Sequence, residues 1–276
     1  MKSALLRHEW YDDIDDPEAC IRQFRASGGK ADYFTFIRRL PATEIQYPYH
    51  VEWENLAAIR ITTFDDWWTR GVPKQTRNHV RRAEKSGLVV RKAVFDDEFV
   101  RGIEDIYNET SIRQGKPFWH YRKDFDTLKR MHETFLEQSD FIGAYFEGRL
   151  IGFVKLVYAG DTARTMHIIS KQEHREKAPT NALLAKAVEI CAEKGIRFLV
   201  YGQYDYGKVG SKSLMIFKKE NGFRKIDVPR YYVPLTFPGR IFVKLRLYQG
   251  VVRFLPAYFT EMLLDVRKRI YAWKHS

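Results

Sequence analysis

Ten consecutive residues constrain this chain more than any others. Arg175-Glu176-Lys177-Ala178-Pro179-Thr180-Asn181-Ala182-Leu183-Leu184 follows the strand-like run Thr165-Met166-His167-Ile168-Ile169-Ser170 and opens a helical pattern. A strand that feeds a helix in this way presents free backbone N–H groups at the positive end of a helix dipole, which is a ready anion site. Glycine would let a phosphate approach closely. Here Ala178 places a Cβ and Pro179 a ring in that approach, and proline also removes one donor.

The chain has 276 residues, 45% of them hydrophobic, enough for one or two packed domains. No apolar run reaches the roughly 18 residues of a membrane span, and residues 1–11 lack a signal-peptide core, so a cytoplasmic protein is expected. Cys20 and Cys191 are too far apart in sequence to suggest a disulfide framework or a metal site; Cys191 shares a face with Leu184, Ala187 and Val188 and reads as core. The net charge of +12 is concentrated in two places. Residues 70–92 hold eight Lys or Arg against Glu84, and residues 240–276 hold eight against Glu261 and Asp265. Two local basic surfaces imply a polyanionic partner: carrier phosphates, RNA or anionic lipid.

Asp16, Pro17 and Gly28-Gly29 bracket a helix over Pro17–Ala26. Strands are expected at Tyr33–Arg38 and Leu56–Thr62, then a helix Pro73–Ser86 stopped by Gly87, with Lys74, Arg77, Arg81 and Lys85 on one face. Beyond it the pattern predicts strand Leu88–Val94, helices Asp97–Gln114 and Asp124–Gln138, and a hairpin Phe141–Phe146 and Leu150–Tyr158. Strand Ala163–Ser170, helix Thr180–Lys194, strand Ile196–Tyr201, helix Ser211–Glu220 and strand Arg224–Pro234 complete an α/β order with a mixed sheet.

The Arg175–Leu184 run keeps the Arg and both leucines of the acetyltransferase fingerprint Arg-x-x-Gly-x-Gly/Ala-x-x-Leu-Leu, with Ala178 and Thr180 where glycines are usual. With the order of elements over roughly residues 88–235, it resembles the GNAT superfamily of N-acyltransferases. Arg77-Asn78-His79-Val80-Arg81-Arg82-Ala83-Glu84-Lys85-Ser86-Gly87 and the pair Phe217-Lys218 are similar to runs in its FemAB-like branch, which builds peptide bridges on cell-wall precursors. The resemblance implies a GNAT-type fold over residues 73–235, a partial N-terminal subdomain over 1–72, which is short for the complete first domain of FemAB-like proteins, and a basic helical extension over 236–276. It also implies transfer of an acyl group to an amine. Acyl-CoA is the slightly favoured donor, because the first domain is truncated; aminoacyl-tRNA is the alternative, because the glycines are missing. A non-catalytic binding module on the same fold is a third reading.

Under that resemblance Arg175, Ala178, Thr180, Asn181 and Ala182 would hold the donor's pyrophosphate, and the acyl group would lie where the strands on either side of the loop splay apart. Lys218 would offset charge on the acyl oxygen, or else be a solvated lysine beside Lys219. Asp205 is a candidate base and Tyr204 a proton donor in Tyr201-Gly202-Gln203-Tyr204-Asp205-Tyr206-Gly207, unless that run is only a polar loop. His167 is the other candidate base, or a structural strand residue. Trp119, His120 and Tyr121, with Phe217, Arg77 and Arg81, would meet an acceptor such as an envelope sugar or peptide precursor; the rings could equally form a satellite core and the basic face a solvated one. Helices expected at Arg240–Leu255 and Tyr258–Trp273 either lie on the inner face of a membrane or pack on the catalytic domain.

Overall fold

The structure, a computed structural model, describes residues 1–6, 8–113, 115–207 and 212–249. In chain order these form β1 (Ser3–Ala4), α1 (Pro17–Ala26), β2 (Tyr33–Ile37), β3 (His50–Arg60), α2 (Phe64–Asp66), α3 (Lys74–Lys85) and β4 (Val89–Ala93). They continue as α4 (Asp97–Asn108), the short strands β5 (Ile112–Arg113) and β6 (Lys116–Pro117), α5 (Phe125–Glu133), β7 (Ser139–Phe146), β8 (Arg149–Ala159) and β9 (Thr162–Ser170). α6 (Pro179–Glu193), β10 (Phe198–Gln203), α7 (Lys212–Glu220), β11 (Arg224–Pro234) and α8 (Phe237–Lys244) follow. The chain divides into two compact units, 1–55 with 226–276 and 56–225. The first unit thus combines described segments from before and after the second, whereas the domains read from the sequence follow chain order.

In the first unit, α1 starts as expected: the Asp16 side chain accepts from the Ala19 N–H and Pro17 takes the first turn. β2 pairs parallel with β1 and antiparallel with β11, from Tyr33↔Pro234 to Ile37↔Arg230. Phe36 stacks on Tyr231 at 4.9 Å in a core with Ile14, Ile21, Phe34 and Val233. Arg230 is held between Glu9 and Glu54. α8 stops at Lys244, and Arg246 turns left-handed before a short turn Leu247–Gln249, so the helix expected over Arg240–Leu255 is interrupted; its part beyond Gln249 and the helix expected at Tyr258–Trp273 lie outside the described residues.

The second unit carries strands in the order β3-β10-β9-β8-β7-β4, and of these described neighbours β9 and β10 pair parallel while the other pairs are antiparallel. Side chains of β8 face two cores, and an extra residue at Ile151 in the pairing to β7 interrupts their alternation. Ile151, Val154 and Leu156 join α3 and α6 on one face; Leu150 and Phe153 join α4 and α5 on the other. Gly152 lies where α6 crosses closely: an added Cβ would sit 2.9 Å from Ser170 Cβ and 3.3 Å from Leu183 Cδ1. Cys191 is fully buried in the α6 core, as its face predicts.

α4 stops at Asn108 rather than Gln114 because side chains there take over the backbone groups. Asn108 Oδ1 accepts from Arg122 N at 2.7 Å, Thr110 Oγ1 bonds Ile112, and Arg113 turns back to the carbonyls of Ile106 and Ser170. α5 also ends early, at Glu133 rather than Gln138. Lys155 donates to the carbonyls of His132 and Thr134, and Phe135 turns left-handed.

Candidate active site

β9 and β10 pair over three residues only, Thr162↔Phe198, Ala163↔Leu199 and Arg164↔Val200, and both strands continue past that point without pairing to each other. Two irregularities sit at the opening. In β9 the register to β8 shifts between Thr165 and His167, so that Met166 is an extra residue; in β10 the register to β3 shifts between Val200 and Gln203. Bulges of this kind bend a strand and re-aim its side chains. Beside the opening lies a cavity of about 230 Å³, lined by Tyr107, Phe118, His120, Thr165, His167 and Tyr201 among others. It is smaller than the roughly 300–1,000 Å³ of drug-sized ligand sites.

Lys218 borders this region from α7. It is fully buried, donates to the Gln203 carbonyl, and holds its ammonium 4.6 Å from the Tyr201 ring centre and 4.8 Å from that of Tyr206. Burial pulls its pKa down to about 8. The left-handed Gly202 makes the turn that carries Gln203; a Cβ there would meet Tyr206 Oη at 2.8 Å. Thr76 Oγ1 donates to the Glu220 carbonyl, Trp67 Nε1 to the Asn221 carbonyl, and Asn181 Nδ2 to Asn221 Oδ1, which pins the end of α7 to α3 and to the start of α6.

His167 lies in a group of rings that the sequence did not bring together. Tyr107 Oη is 3.4 Å from both His167 Nδ1 and His132 Nε2, and the two imidazole centres are 4.6 Å apart. Burial lowers the pKa of His167 and of His120 to about 4 and that of His132 to about 2, aided by nearby positive groups, so all three are neutral at pH 7. Of the acceptor candidates, His120 lies tilted against Tyr107 and Trp119, with ring centres 4.9 and 4.7 Å away, and its Nδ1 is 3.2 Å from Lys123 Nζ. Trp119 is 74% exposed, with Lys123 over its ring. Tyr121 lies beneath Arg122.

Other candidates stand apart from the cavity. Arg77 reaches the carbonyls of Trp68, Thr69 and Val72, closing the turn before α3. Arg81 lies over Trp68, and Phe217 and Tyr204 pack against the α3/α6 core. Asp205 is exposed and accepts from Gly207 N in a local turn. Tyr107, His132 and Lys155 went unnoticed in the sequence. Lys155 did leave a signal there: it is a lone charge inside the otherwise apolar Leu150–Val157.

The loop before α6 is partly closed on itself. Ala178 is left-handed (φ 49°) and caps the helix; the amides of Lys177 and Ala178 bond the carbonyls of His174 and Arg175, and those of Asn181 and Ala182 bond Ala178 O. Pro179 has no N–H. In the first turn of α6 this leaves Thr180 with the one described amide that has no backbone acceptor, while its hydroxyl pairs with Ser170 at 3.0 Å. Arg175 is exposed nearby.

A parallel pair that parts beside a strand-to-helix loop defines the fold of an N-acyltransferase of the GNAT type. The acetyltransferase (GNAT) domain family matches residues 70–208. The spermidine N(1)-acetyltransferase of Thermoplasma acidophilum is 30% identical over 129 residues, 44% of this chain and 73% of that protein. In structure the chain is similar to FemX (TM-score 0.57, 13% identity, 83% of this chain and 71% of that one). It is also similar to the C-terminal domain of a proposed lysylphosphatidylglycerol synthetase from Agrobacterium fabrum (TM-score 0.55, 12% identity, 90% and 83%). The chain belongs to the GNAT acetyltransferase family and is an acyltransferase.

Proposed function

We propose that the chain transfers a short acyl group from coenzyme A to an amine that enters the cavity between Tyr107, His120 and His167. The observation that carries this reading is Lys218, a buried ammonium held by Gln203 O where β9 and β10 part. The amine nitrogen bonds the thioester carbon while the carbonyl electron pair moves onto oxygen, next to that charge. Collapse expels the thiolate, and the proton lost by nitrogen ends on sulfur or in water. A preorganised cation that meets a developing oxyanion in a dry site is among the largest contributions to catalysis.

The loop supports a test of the donor. Ala178→Gly relieves a left-handed residue and widens the approach, so CoA should bind equally well or better; Ala178→Val should weaken it by roughly 1 kcal/mol, about fivefold. Calorimetric titration with CoA checks both. No change in either variant would mean that the pyrophosphate is not held there, and aminoacyl-tRNA would become the better donor.

An acceptor at a membrane surface, such as an envelope precursor, is supported by α8. Phe237, Ile241 and Leu245 are exposed at four-residue spacing beside Arg240 and Lys244. On the same helix Val243 is buried and Phe242 stacks on Tyr33 at 5.3 Å, so its other face belongs to the first unit. The lysyl lipid in the Agrobacterium protein's name agrees with this setting. No helix among the described residues is long and apolar enough to cross a membrane. Cosedimentation with anionic vesicles should be salt-sensitive and should drop when Phe237, Ile241 and Leu245 are replaced together by serine. Each basic side chain near such a surface contributes roughly 1 kcal/mol. Absence of binding by the intact protein would remove the membrane-borne acceptor.

A further inference from the structure

The sequence offers His167 as a base; the hydrogen bonds around it give it a different task. We propose that His167 serves the transfer as a neutral hydrogen-bond donor, presenting Nε2–H to the acyl oxygen in the cavity, and that Tyr107 and His132 are positioning residues that fix this tautomer. The proposal rests on the acyl-transfer reading above and deepens it.

The Tyr107 hydroxyl lies between His132 Nε2 and His167 Nδ1, 3.4 Å from each. It has a single proton, so it donates to one ring and accepts from the other. Burial raises the phenol's pKa and keeps both imidazoles neutral, so neither pattern involves a charged member. The deciding atom is His132 Nδ1, which is buried with no hydrogen-bonding partner among the described residues. If His132 accepted from Tyr107, its own proton would sit on Nδ1 as an orphaned buried N–H. If His132 donates from Nε2, the orphan is a lone pair. Buried donors are left unpaired more rarely than acceptors. Lys155 and Lys123 also act on this ring with positive charge, which favours a lone pair over another N–H.

The chain of donors therefore runs from His132 Nε2–H to Tyr107 Oη and from Tyr107 O–H to His167 Nδ1. The proton of His167 is then on Nε2, the nitrogen not engaged by Tyr107, and His167 lines the cavity. His120 follows the same rule: an ammonium can only donate, so Lys123 makes His120 Nδ1 an acceptor and leaves its proton on Nε2. During transfer the bond from the amine nitrogen to the acyl carbon forms, the carbonyl pair moves to oxygen, and His167 Nε2–H hydrogen-bonds that oxygen without giving up its proton. A neutral imidazole in this role does not need the positive charge that burial opposes.

Two measurements on the full chain test this. In a two-bond ¹H–¹⁵N spectrum of the wild-type protein at pH 7, His167 should show the Nε2–H tautomer, and Tyr107→Phe should convert that signal to a tautomer mixture. In turnover, His167→Gln keeps an N–H near the Nε2 position and should stay within about tenfold of wild type, while His167→Ala should fall by roughly 10². A base would lose as much in His167→Gln as in His167→Ala, and that equality would overturn the proposal. So would an Nδ1–H tautomer in the wild-type spectrum, which is decisive even where a variant does not fold. Failure of every donor and amine to react would sink the acyl-transfer reading while leaving the tautomer measurement to stand by itself.

Discussion

Lys218→Ala should lower turnover by roughly 10²–10³ while the apparent affinity for the amine changes little, because the charge that Lys218 meets exists mainly in the transition state. The same side chain sets a pH limb. Burial lowers its pKa to about 8, so the ammonium is present at pH 6–7 and is lost as pH rises through about 8, well before an ordinary lysine would lose it. Turnover of the wild-type chain should fall on that alkaline side, and the limb should vanish from the residual rate of the variant. Lys218→Met preserves the packing of the side-chain stem, and should match alanine in rate while melting closer to wild type. A rise in KM at unchanged turnover would make Lys218 a binding residue and take away the main support of the proposed function.

Phe153→Ala should cost about 3–5 kcal/mol of stability, the usual range for removing a buried aromatic ring. Phe153 is fully buried, and its ring lies 6.0 Å from Phe99, 6.0 Å from Tyr107 and 5.3 Å from His132. The loss would be a large part of the roughly 5–15 kcal/mol that holds a typical domain folded. Denaturant unfolding measures it, and turnover should fall with it, since Tyr107 and His132 lose the wall they rest on. A loss below about 1 kcal/mol would contradict the packing between β8, α4 and α5.

Much of the fold was legible because periodicity and punctuation agree. Asp16-Pro17 and Gly28 set the bounds of α1, and β11 runs over Arg224–Pro234 as its pattern predicts. The hairpin of β7 and β8 turns at Glu147-Gly148, and α6 begins at Pro179, one residue before the expected start. Boundaries failed where side chains displaced backbone partners. α4 gives way at Asn108 to a loop tied by Arg113, and β3 starts at His50 rather than Leu56.

The candidate site was legible only in pieces. Lys218 and His167 could be chosen from a family resemblance and from residue chemistry, since a lysine after Phe217 and a histidine in a strand are visible along one dimension. Their partners were not. Tyr107 reads as one more apolar position of α4 and His132 as one more residue of α5, and a bulge of one residue at Met166 leaves no mark in composition. The sequence by itself determined the elements, the strand-to-helix loop and the basic faces, because local propensity and hydrophobic period are written in consecutive residues. Only the tertiary structure decided that β9 and β10 part after Arg164 and Val200, that Lys218 is buried at that opening, and that one phenol joins two histidines. Those depend on register and on contacts between residues as many as 60 positions apart, and no local pattern encodes them.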